Sequence, residues 1–392
     1  MIKIDRVHFY VEDARAWRNW FVHKLGFQAV ASGSSTSHTC TEVVNSGEVY
    51  FVLSSPLTPL SPVANFLRQH PPGVADVAFC VEDIEAVMQG AIAWSTQVLQ
   101  PIQHQQGYKC AKIAAWGSLT HTLIERQEAV GSPPAVRGQR QEAGGALPEA
   151  LCQRIDAKLV HPTLREGQSP TSFSSPLIDR PNSPSRFTFA GIDHIVLNVA
   201  AGDLERAVAW YENVLGFHAQ QAFKIQTDRS ALHSRVLVSS NKCVQFPINQ
   251  PASPNSQIQE FLDFNRGAGI QHIALQIPNI VQAIASFRSS GVSFLSVPPT
   301  YYTQLQERLG LPLPVAELKE IAAEQILVDW QENNPHALLL QTFTQPIFTQ
   351  PTFFFEIIER RSQALGFGEG NFRALFEAIE REQIKRGSLS SS

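Results

Sequence analysis

The hydrophobic and polar positions of this chain follow a pattern that occurs twice. Residues 4–28 and 192–218 each begin with a short run rich in apolar residues, pass through an acidic turn into an amphipathic stretch, and end in Leu-Gly-Phe. The apolar run is typical of a buried strand, and the amphipathic stretch is typical of a helix with one apolar face. Gly26 and Gly216 stand where a helix C-cap belongs. Both segments are therefore predicted to be strand–helix units.

A second pair of related segments, residues 74–97 and 270–294, again runs from a strand pattern into a helix pattern. Each half then closes on a strand that ends in Ile-Glu-Arg, at 121–126 and within 353–360. The copies lie about 190 residues apart, which indicates a single duplication rather than a solenoid of short repeats. We therefore expect an α+β protein with two related halves.

Polar segments separate the two halves. Residues 127–150 are polar, and residues 166–186 are rich in Ser and Pro without apolar periodicity. A chain of 392 residues is also long for one hydrophobic core. We therefore expect an N-terminal domain over 1–150, a linker over 151–190 and a C-terminal domain over 191–392.

Composition and charge narrow the class of protein. Hydrophobic residues make up 43% and charged residues 17% of the chain, as in a globular protein. The net charge of −4 argues against a nucleic acid or an anionic membrane surface as the partner. The five cysteines follow neither a disulfide pattern nor a zinc pattern. Since the sequence also shows no signal peptide and no run of roughly 18 apolar residues, a cytoplasmic protein is expected.

Three residues of the second half form a potential set of metal ligands, and the aligned residues of the first half do not form such a set. Aligning the repeats places Glu356 and two strand histidines, His194 and His272, opposite residues of other types. The aligned residues of the first half are Arg6, Asp76 and Thr122. A packing role does not need this asymmetry, whereas a metal site kept by one half does. Two imidazoles and one carboxylate form the facial triad of non-haem Fe(II), and Zn(II) also binds this set.

Each of these residues taken alone also has a simpler interpretation. A lone His in a buried strand is ordinary. Glu356 follows three phenylalanines, where an unpaired carboxylate is costly to bury. It could instead face water on an edge strand or pair with Arg360 or Arg361. Three potential metal ligands at matching repeat positions favour the metal site.

At these residues the sequence resembles the vicinal oxygen chelate superfamily. The C-terminal half is similar in particular to the 4-hydroxyphenylpyruvate dioxygenase family, and the N-terminal half resembles it more loosely. The segments that carry the similarity are, in chain order, DHIVLNV, FPINQP, SQIQEFLDFNRGAGIQHIAL, PPTYYTQL, LLLQTFTQP, PTFFFEIIER and GFGEGNFRALFEAIEREQIKRG.

This resemblance implies duplicated βαβββ modules in two open barrel domains, with metal ligands in the second only. It implies an Fe(II)-dependent dioxygenase that converts 4-hydroxyphenylpyruvate and O₂ to homogentisate and CO₂. The family's metal ligands fall on His194, His272 and Glu356. Its catalytic polar residues fall on Ser234, Asn249, Gln257 and Gln271. Its substrate-binding residues fall on Gln341, Phe343, Phe354, Phe367, Asn371 and Phe372.

One of these assignments conflicts with regular strand geometry. Gln271 directly precedes His272, and ideal alternation would point the two side chains to opposite faces of the sheet. Either a bulge re-aims Gln271, or its role is indirect.

The C-terminal segment 366–387 combines a glycine-rich turn with an amphipathic pattern. Its apolar residues are spaced for one helix face. They are Phe372, Leu375, Phe376 and Ile379. We interpret this helix as a lid that closes over the iron when substrate binds.

Three other classes of protein fit parts of the pattern. Hydroxymandelate synthase has the same triad and substrate, and Pro247 and Asn249 favour the homogentisate-forming branch. An extradiol catechol dioxygenase shares the ligand set, but the C-terminal glycine-rich helix argues against it. A metal-free binding protein would not need the complete triad. The duplicated modules can pair within one chain, so a homo-oligomer is compatible with the fold but not required by it.

Overall fold

The structure is a computed structural model. It describes residues 1–30, 36–126, 187–307, 311–331 and 334–389. The expected polar connection 127–150 and all but the last residues of the expected linker 151–190 lie outside these ranges.

The first half contains eight strands and three helices among its described residues. They are β1 (Ile2–Tyr10), α1 (Ala14–Leu25), β2 (Gln28–Ala29), β3 (Thr39–Ser46), β4 (Val49–Pro56), α2 (Pro62–Gln69), β5 (Gly73–Val81), α3 (Ile84–Ala93), β6 (Val98–Gln105), β7 (Tyr108–Ala114) and β8 (Thr120–Arg126). The strands form one sheet in the order β2-β3-β4-β1-β5-β8-β7-β6.

The second half repeats this arrangement and adds helices. Its elements are β9 (Gly191–Asn198), α4 (Leu204–Leu215), β10 (Phe217–Gln226), β11 (Ala231–Ser239), β12 (Gln245–Pro251), α5 (Gln257–Asn265), β13 (Gly269–Gln276), α6 (Ile280–Ser289), α7 (Pro299–Glu307), α8 (Val315–Ala323), β14 (Leu327–Gln331), β15 (Asn334–Phe343), β16 (Phe354–Arg360), a short 3₁₀ turn (Glu369–Asn371) and α9 (Phe372–Arg386). The strand order is β10-β11-β12-β9-β13-β16-β15-β14.

Both sheets are built from two βαβββ modules joined at an antiparallel central pair. In the first sheet β1 pairs antiparallel with β5, and each also has a parallel neighbour, β4 and β8. In the second sheet β9 pairs antiparallel with β13, with β12 and β16 as the parallel neighbours. This symmetry confirms the predicted duplication and the predicted module type.

Both predicted helix C-caps are present, and α1 also has an N-cap that was not predicted. Asp13 caps α1 by accepting hydrogen bonds from the backbone N–H groups of Arg15 and Ala16. Gly26 and Gly216 follow α1 and α4 with φ values of 71° and 66°, in the left-handed region that glycine adopts without a steric penalty. The Leu-Gly-Phe repeat therefore marks a helix C-cap in each half.

The two halves pack on one another through a shared core. Phe9 of β1 contacts Phe353, just before β16, edge to face at 5.2 Å between ring centroids. Polar groups cross the same interface, because the Trp210 indole N–H donates to the Thr96 hydroxyl at 2.9 Å. The modules therefore pair within the chain. Among the described residues, no helix has the length and apolar character needed to cross a lipid bilayer.

Candidate metal centre and substrate pocket

The three predicted ligands meet on the three central strands of the second sheet. His194 lies on β9, His272 on β13 and Glu356 on β16, and one ligand atom from each lies within 4.8 Å of the others. The Glu356 Oε2 is 3.0 Å from Nε2 of His194 and 3.8 Å from Nε2 of His272. His194 and Glu356 are buried. Sheet pairing alone therefore brings together His194 and Glu356, which are 162 residues apart in the sequence.

Strand alternation explains why a carboxylate follows three phenylalanines. Phe353 and Phe355 point into the shared core between the halves, while Phe354 and Glu356 face the other side of the sheet. The Glu356 side chain is 4% exposed, so it is not an edge-strand residue that faces water.

The alternative ion-pair partners of Glu356 are used elsewhere. Arg360 binds Asp193, and Arg361 binds Glu359 and Glu317. Among the described residues, the Glu356 carboxylate has only two ionisable groups at ion-pair distance. They are the imidazoles of His194 and His272.

Two β-bulges place a hydrogen-bond partner beside each histidine. In the pairing of β9 with β13, Asp193 and Gln271 are the extra residues, each directly before a ligand. The Nδ1–H of His194 donates to Asp193 Oδ1 at 3.0 Å, and that of His272 donates to Gln271 Oε1 at 3.3 Å. Both Nε2 atoms are thereby left as the metal-facing nitrogens, because the outer partner selects the tautomer.

The bulge resolves the conflict over Gln271. This side chain and that of His272 both line the same pocket, although the two residues are consecutive on β13. The amide therefore lies near the ligands and also orients one of them.

The electrostatics of the site reflect close packing of ionisable groups. Burial lowers the pKa of His194, but the Glu356 carboxylate and Asp193 outweigh burial and raise it to about 9. Burial and the charge of His194 hold the pKa of His272 well below its ordinary value. Burial opposes ionisation of Asp193, yet hydrogen bonds from Arg360 and His194 hold its pKa far below the usual range. The carboxylates beside His194 thus favour positive charge at this point, which a bound divalent cation would also supply.

This donor set fits a divalent metal ion. Two neutral imidazole nitrogens and one carboxylate oxygen form a facial triad, which leaves further coordination positions for substrate. Ligand atoms bound at roughly 2.1 Å and at right angles lie roughly 3.0 Å apart. The Glu356–His194 separation of 3.0 Å matches this value, and the Glu356–His272 separation of 3.8 Å is somewhat longer.

The triad lies at one wall of a concave pocket whose lining is mostly apolar with a few polar side chains, as is usual for small-molecule sites. The cavity brings together every site residue predicted from the sequence except Asn371. These residues are His194, Ser234, Asn249, Gln257, Gln271, His272, Gln341, Phe343, Phe354, Glu356, Phe367 and Phe372.

The remaining cavity walls are apolar. Leu375, Phe376 and Ile379 belong to the predicted apolar face of the lid helix, and Pro247 was also singled out in the sequence. The wall residues that sequence reasoning missed are Val196, Phe223, Ile225, Leu232, Val236 and Ile258. Alternation along β10 and β11 was a usable signal for the strand members, since Phe223 and Ile225, like Leu232, Ser234 and Val236, are two residues apart.

Aromatic rings surround the ligands. The Phe354 ring stacks on the His272 imidazole at 4.8 Å, and the Phe367 ring meets His194 edge to face at 5.3 Å. Phe343 meets Phe354 edge to face at 6.2 Å. These rings offer both faces and edges to a flat aromatic ligand.

Uncommitted polar atoms also point to a ligand in this pocket. Gln257 Oε1 and Gln341 Oε1 are buried without a hydrogen-bond partner among the described residues. Buried polar atoms are normally satisfied, and an orphan calls for a water or a ligand. The residue of the first half that is aligned with His272 already has partners, because Asp76 accepts from Thr120 and Thr122 and pairs with Lys112. The polar interior of the first half is therefore satisfied by its own residues.

Asn371 lies beside the pocket but faces a different cavity. Its Oδ1 accepts a hydrogen bond from the Tyr301 hydroxyl at 2.8 Å, and both residues line a cavity next to α7 and α9. In this structure Asn371 anchors the start of α9.

Comparison with known proteins agrees with this architecture. The sequence model of the Glyoxalase/Bleomycin resistance protein/Dioxygenase superfamily matches residues 191–309. A triple mutant of 4-hydroxymandelate synthase from Streptomyces coelicolor has a similar structure, with a TM-score of 0.75 and 26% identity over 97% of this chain and 98% of that one. The duplicated modules and the triad define a protein of the vicinal oxygen chelate type.

Similar sequences extend over the whole chain. 4-Hydroxyphenylpyruvate dioxygenase of Coccidioides posadasii is 36% identical, covering 98% of this chain and 94% of that protein. The same enzyme of Dictyostelium discoideum is also 36% identical, covering 98% and 99%. An uncharacterised Synechocystis protein is 31% identical, covering 97% of both chains. The chain belongs to the 4-hydroxyphenylpyruvate dioxygenase family.

Proposed function

We propose that this protein is an Fe(II)-dependent dioxygenase that converts 4-hydroxyphenylpyruvate and O₂ to homogentisate and CO₂. The observation that carries the proposal is the buried His₂Glu triad at one wall of an aromatic pocket that contains uncommitted amide oxygens. Family membership supports the same substrate, since the relatives above are named for it.

The iron would be held by His194, His272 and Glu356. When bound, Fe(II) would supply the redox chemistry that couples O₂ to decarboxylation of a 2-oxo acid and to hydroxylation. The protein fixes the ligands through Asp193 and Gln271, which hold the imidazoles in one tautomer and one orientation.

The substrate ring would lie among aromatic side chains, and its polar ends would bind neutral groups. Phe343, Phe354, Phe367 and Phe372 supply the apolar walls. Ser234, Asn249, Gln257, Gln271 and Gln341 supply hydroxyl and amide groups. Neutral groups suit a 2-oxo acid that chelates a metal, because a lysine or arginine would compete with the metal for the same oxygens.

The segment after β16 would exclude water during the reaction. Phe367 covers His194, and Phe372, Leu375 and Phe376 of the α9 segment line the pocket. We therefore propose that α9 acts as a lid, as the amphipathic pattern of 366–387 predicted.

The four cysteines among the described residues are free thiols. Free thiols persist in a reducing compartment, which supports a cytoplasmic location for the enzyme.

The function is tested by loading the protein with Fe(II) under anaerobic conditions, adding 4-hydroxyphenylpyruvate, and following O₂ uptake with chromatography of the product. Homogentisate and CO₂ in equal amounts support the proposal. Hydroxymandelate would keep the site but contradict the product. Absence of uptake with Fe(II) bound would contradict the substrate, and a matched Glu356→Gln variant controls for uncatalysed oxidation.

A further inference from the structure

Arg360, the last residue of β16, binds two parts of the molecule with one side chain. Its Nε and Nη2 donate to the two carboxylate oxygens of Asp193 at 2.6 and 2.8 Å. Its Nη1 donates to the backbone carbonyls of Ala364 and Gly366 at 3.0 and 2.9 Å. The fork geometry of guanidinium allows this double engagement, which a lysine cannot reproduce.

One end of this connection reaches the metal site. Asp193 Oδ1 accepts from Nη2 of Arg360 and from Nδ1–H of His194. Asp193 is almost fully buried, with 5% of its side chain exposed. Because a buried carboxylate without a cation is costly, Arg360 keeps Asp193 charged and in place as the acceptor that orients His194.

The other end reaches the lid segment. Gly366 is followed by Phe367, whose ring contacts His194 at 5.3 Å, and by Gly368, which packs against Gln341. α9 begins four residues later, at Phe372. The Arg360 guanidinium therefore contacts both the carboxylate that orients His194 and the backbone that leads into the lid helix α9.

The first half contains a natural reference for this arrangement. Arg126 ends β8 as Arg360 ends β16, and its Nη2 pairs with Asp5 at 2.5 Å. Asp5 is the bulged residue of β1, as Asp193 is of β9. The Arg–Asp pair thus exists in a half whose aligned ligand position is Arg6. Such a pair can stabilise the sheet without a metal. Substituting Arg126 therefore reports how much an Arg–Asp pair contributes to sheet stability alone.

We infer that Arg360 is a positioning residue that couples the orientation of His194 to the docking of the lid segment 364–372. This inference rests on the proposed iron centre. Coupling of this kind is reciprocal: Fe(II) bound by His194 favours the docked segment, and the docked segment favours Fe(II) binding.

The test compares the wild-type protein with Arg360→Gln, Arg360→Lys and the matched control Arg126→Gln. Fe(II) affinity is measured by anaerobic titration, and amide hydrogen exchange of segment 364–372 is measured with and without Fe(II) alone. In the wild type and in Arg126→Gln, Fe(II) slows exchange of the segment. Arg360→Gln weakens Fe(II) binding about 10- to 100-fold and removes the Fe(II)-dependent change in exchange.

Arg360→Lys separates the two connections. The ammonium group can remain beside Asp193, so Fe(II) affinity stays within about tenfold of the wild type, while the Fe(II)-dependent protection of the segment is lost. A purely structural role would lower stability without removing the difference in exchange that Fe(II) causes. Asp193→Asn, which keeps the size of the side chain, is expected to weaken Fe(II) binding similarly and serves if Arg360→Gln does not fold.

Two results would overturn the inference. One is an Fe(II)-dependent slowing of exchange in Arg360→Gln equal to that of the wild type. The other is exchange of segment 364–372 in the wild type that does not respond to bound Fe(II). If the wild-type protein bound no Fe(II) at all, the proposed iron centre itself would fail, which is a distinguishable outcome.

Discussion

Arg6 and His194 occupy the same position in two copies of one sheet. Arg6 on β1 pairs with Ala78 on β5, and His194 on β9 pairs with Ala274 on β13. The other ligand positions match in the same way, because the registers relate Asp76 to His272 and Thr122 to Glu356. The duplicated backbone therefore provides an internal control for each residue of the proposed centre.

Removing one ligand is expected to abolish metal binding, whereas changing its aligned residue is not. Glu356→Gln removes the anionic ligand and is expected to weaken Fe(II) binding more than 100-fold, which exceeds the usual effect of losing a group that only orients a ligand. Thr122→Val alters the aligned position of the first half. Metal analysis and product assays check both variants, and loss of iron from Thr122→Val would contradict the assignment to the second half.

Two glycines with nearly equal φ angles are expected to respond differently to alanine. Gly368 and Gly387 have φ values of 76° and 77°, so alanine costs each about 1 kcal/mol of backbone strain. A Cβ at Gly368 would lie only 2.3 Å from Gln341 Oε1, whereas a Cβ at Gly387 meets no atom within 4 Å. Gly368→Ala is therefore expected to raise KM for substrate about tenfold as Gln341 shifts. Steady-state kinetics would contradict this if both variants gave the same KM.

Truncation separates metal binding from turnover. Deleting residues 373–392 removes most of α9 but none of the three ligands. We expect Fe(II) to remain bound and turnover to fall more than about 100-fold, since the pocket loses a wall and admits water. Deleting only residues 388–392, beyond the C-cap of α9, is the control and is expected to retain activity. Undiminished turnover after the longer deletion would refute the lid.

Acid is expected to weaken the interface between the halves through His121. Its Nδ1–H donates to the Val77 carbonyl, and its Nε2 accepts from the Tyr211 hydroxyl. Burial lowers the pKa of His121 to about 4, so the unfolded chain takes up a proton near pH 6.5 that the folded chain resists. This contribution to the free energy of unfolding is complete above pH 6.5 and falls by about 3 kcal/mol as the pH drops to 4.

Urea unfolding at several pH values checks this expectation in the wild type and in His121→Gln. The variant lacks the titrating ring, so its free energy of unfolding should decline less steeply between pH 6.5 and pH 4. Parallel pH profiles would show that His121 does not carry the effect.

The triad could be found from sequence because the duplication supplies a reference. His194, His272 and Glu356 stand out only when aligned with Arg6, Asp76 and Thr122, and sheet pairing preserves that alignment. The strand–helix units and the helix C-caps followed from apolar periodicity and from the Leu-Gly-Phe repeats, which are local signals, whereas the βαβββ module type followed from the family resemblance.

Other features of the site depend on long-range geometry that periodicity does not encode. Whether Gln271 faces the ligands depends on a bulge, and a bulge is set by the pairing of two distant strands. Arg360 was weighed as a partner of Glu356, four residues away and on the same face, yet it binds Asp193, 167 residues distant. Asn371 was assigned to the substrate pocket by resemblance, and its Oδ1 binds Tyr301 instead of facing the triad.

The bulges have a consequence for how such an enzyme diverges. The first sheet carries extra residues at Asp5 and Ala75, the positions that correspond to Asp193 and Gln271. The backbone distortion that aims a partner at each ligand is thus present in the half without the triad. Both halves share the bulged backbone and differ in the side chains that it positions. A metal site in this fold can therefore be gained or lost through a few substitutions, while the strand pairing stays the same.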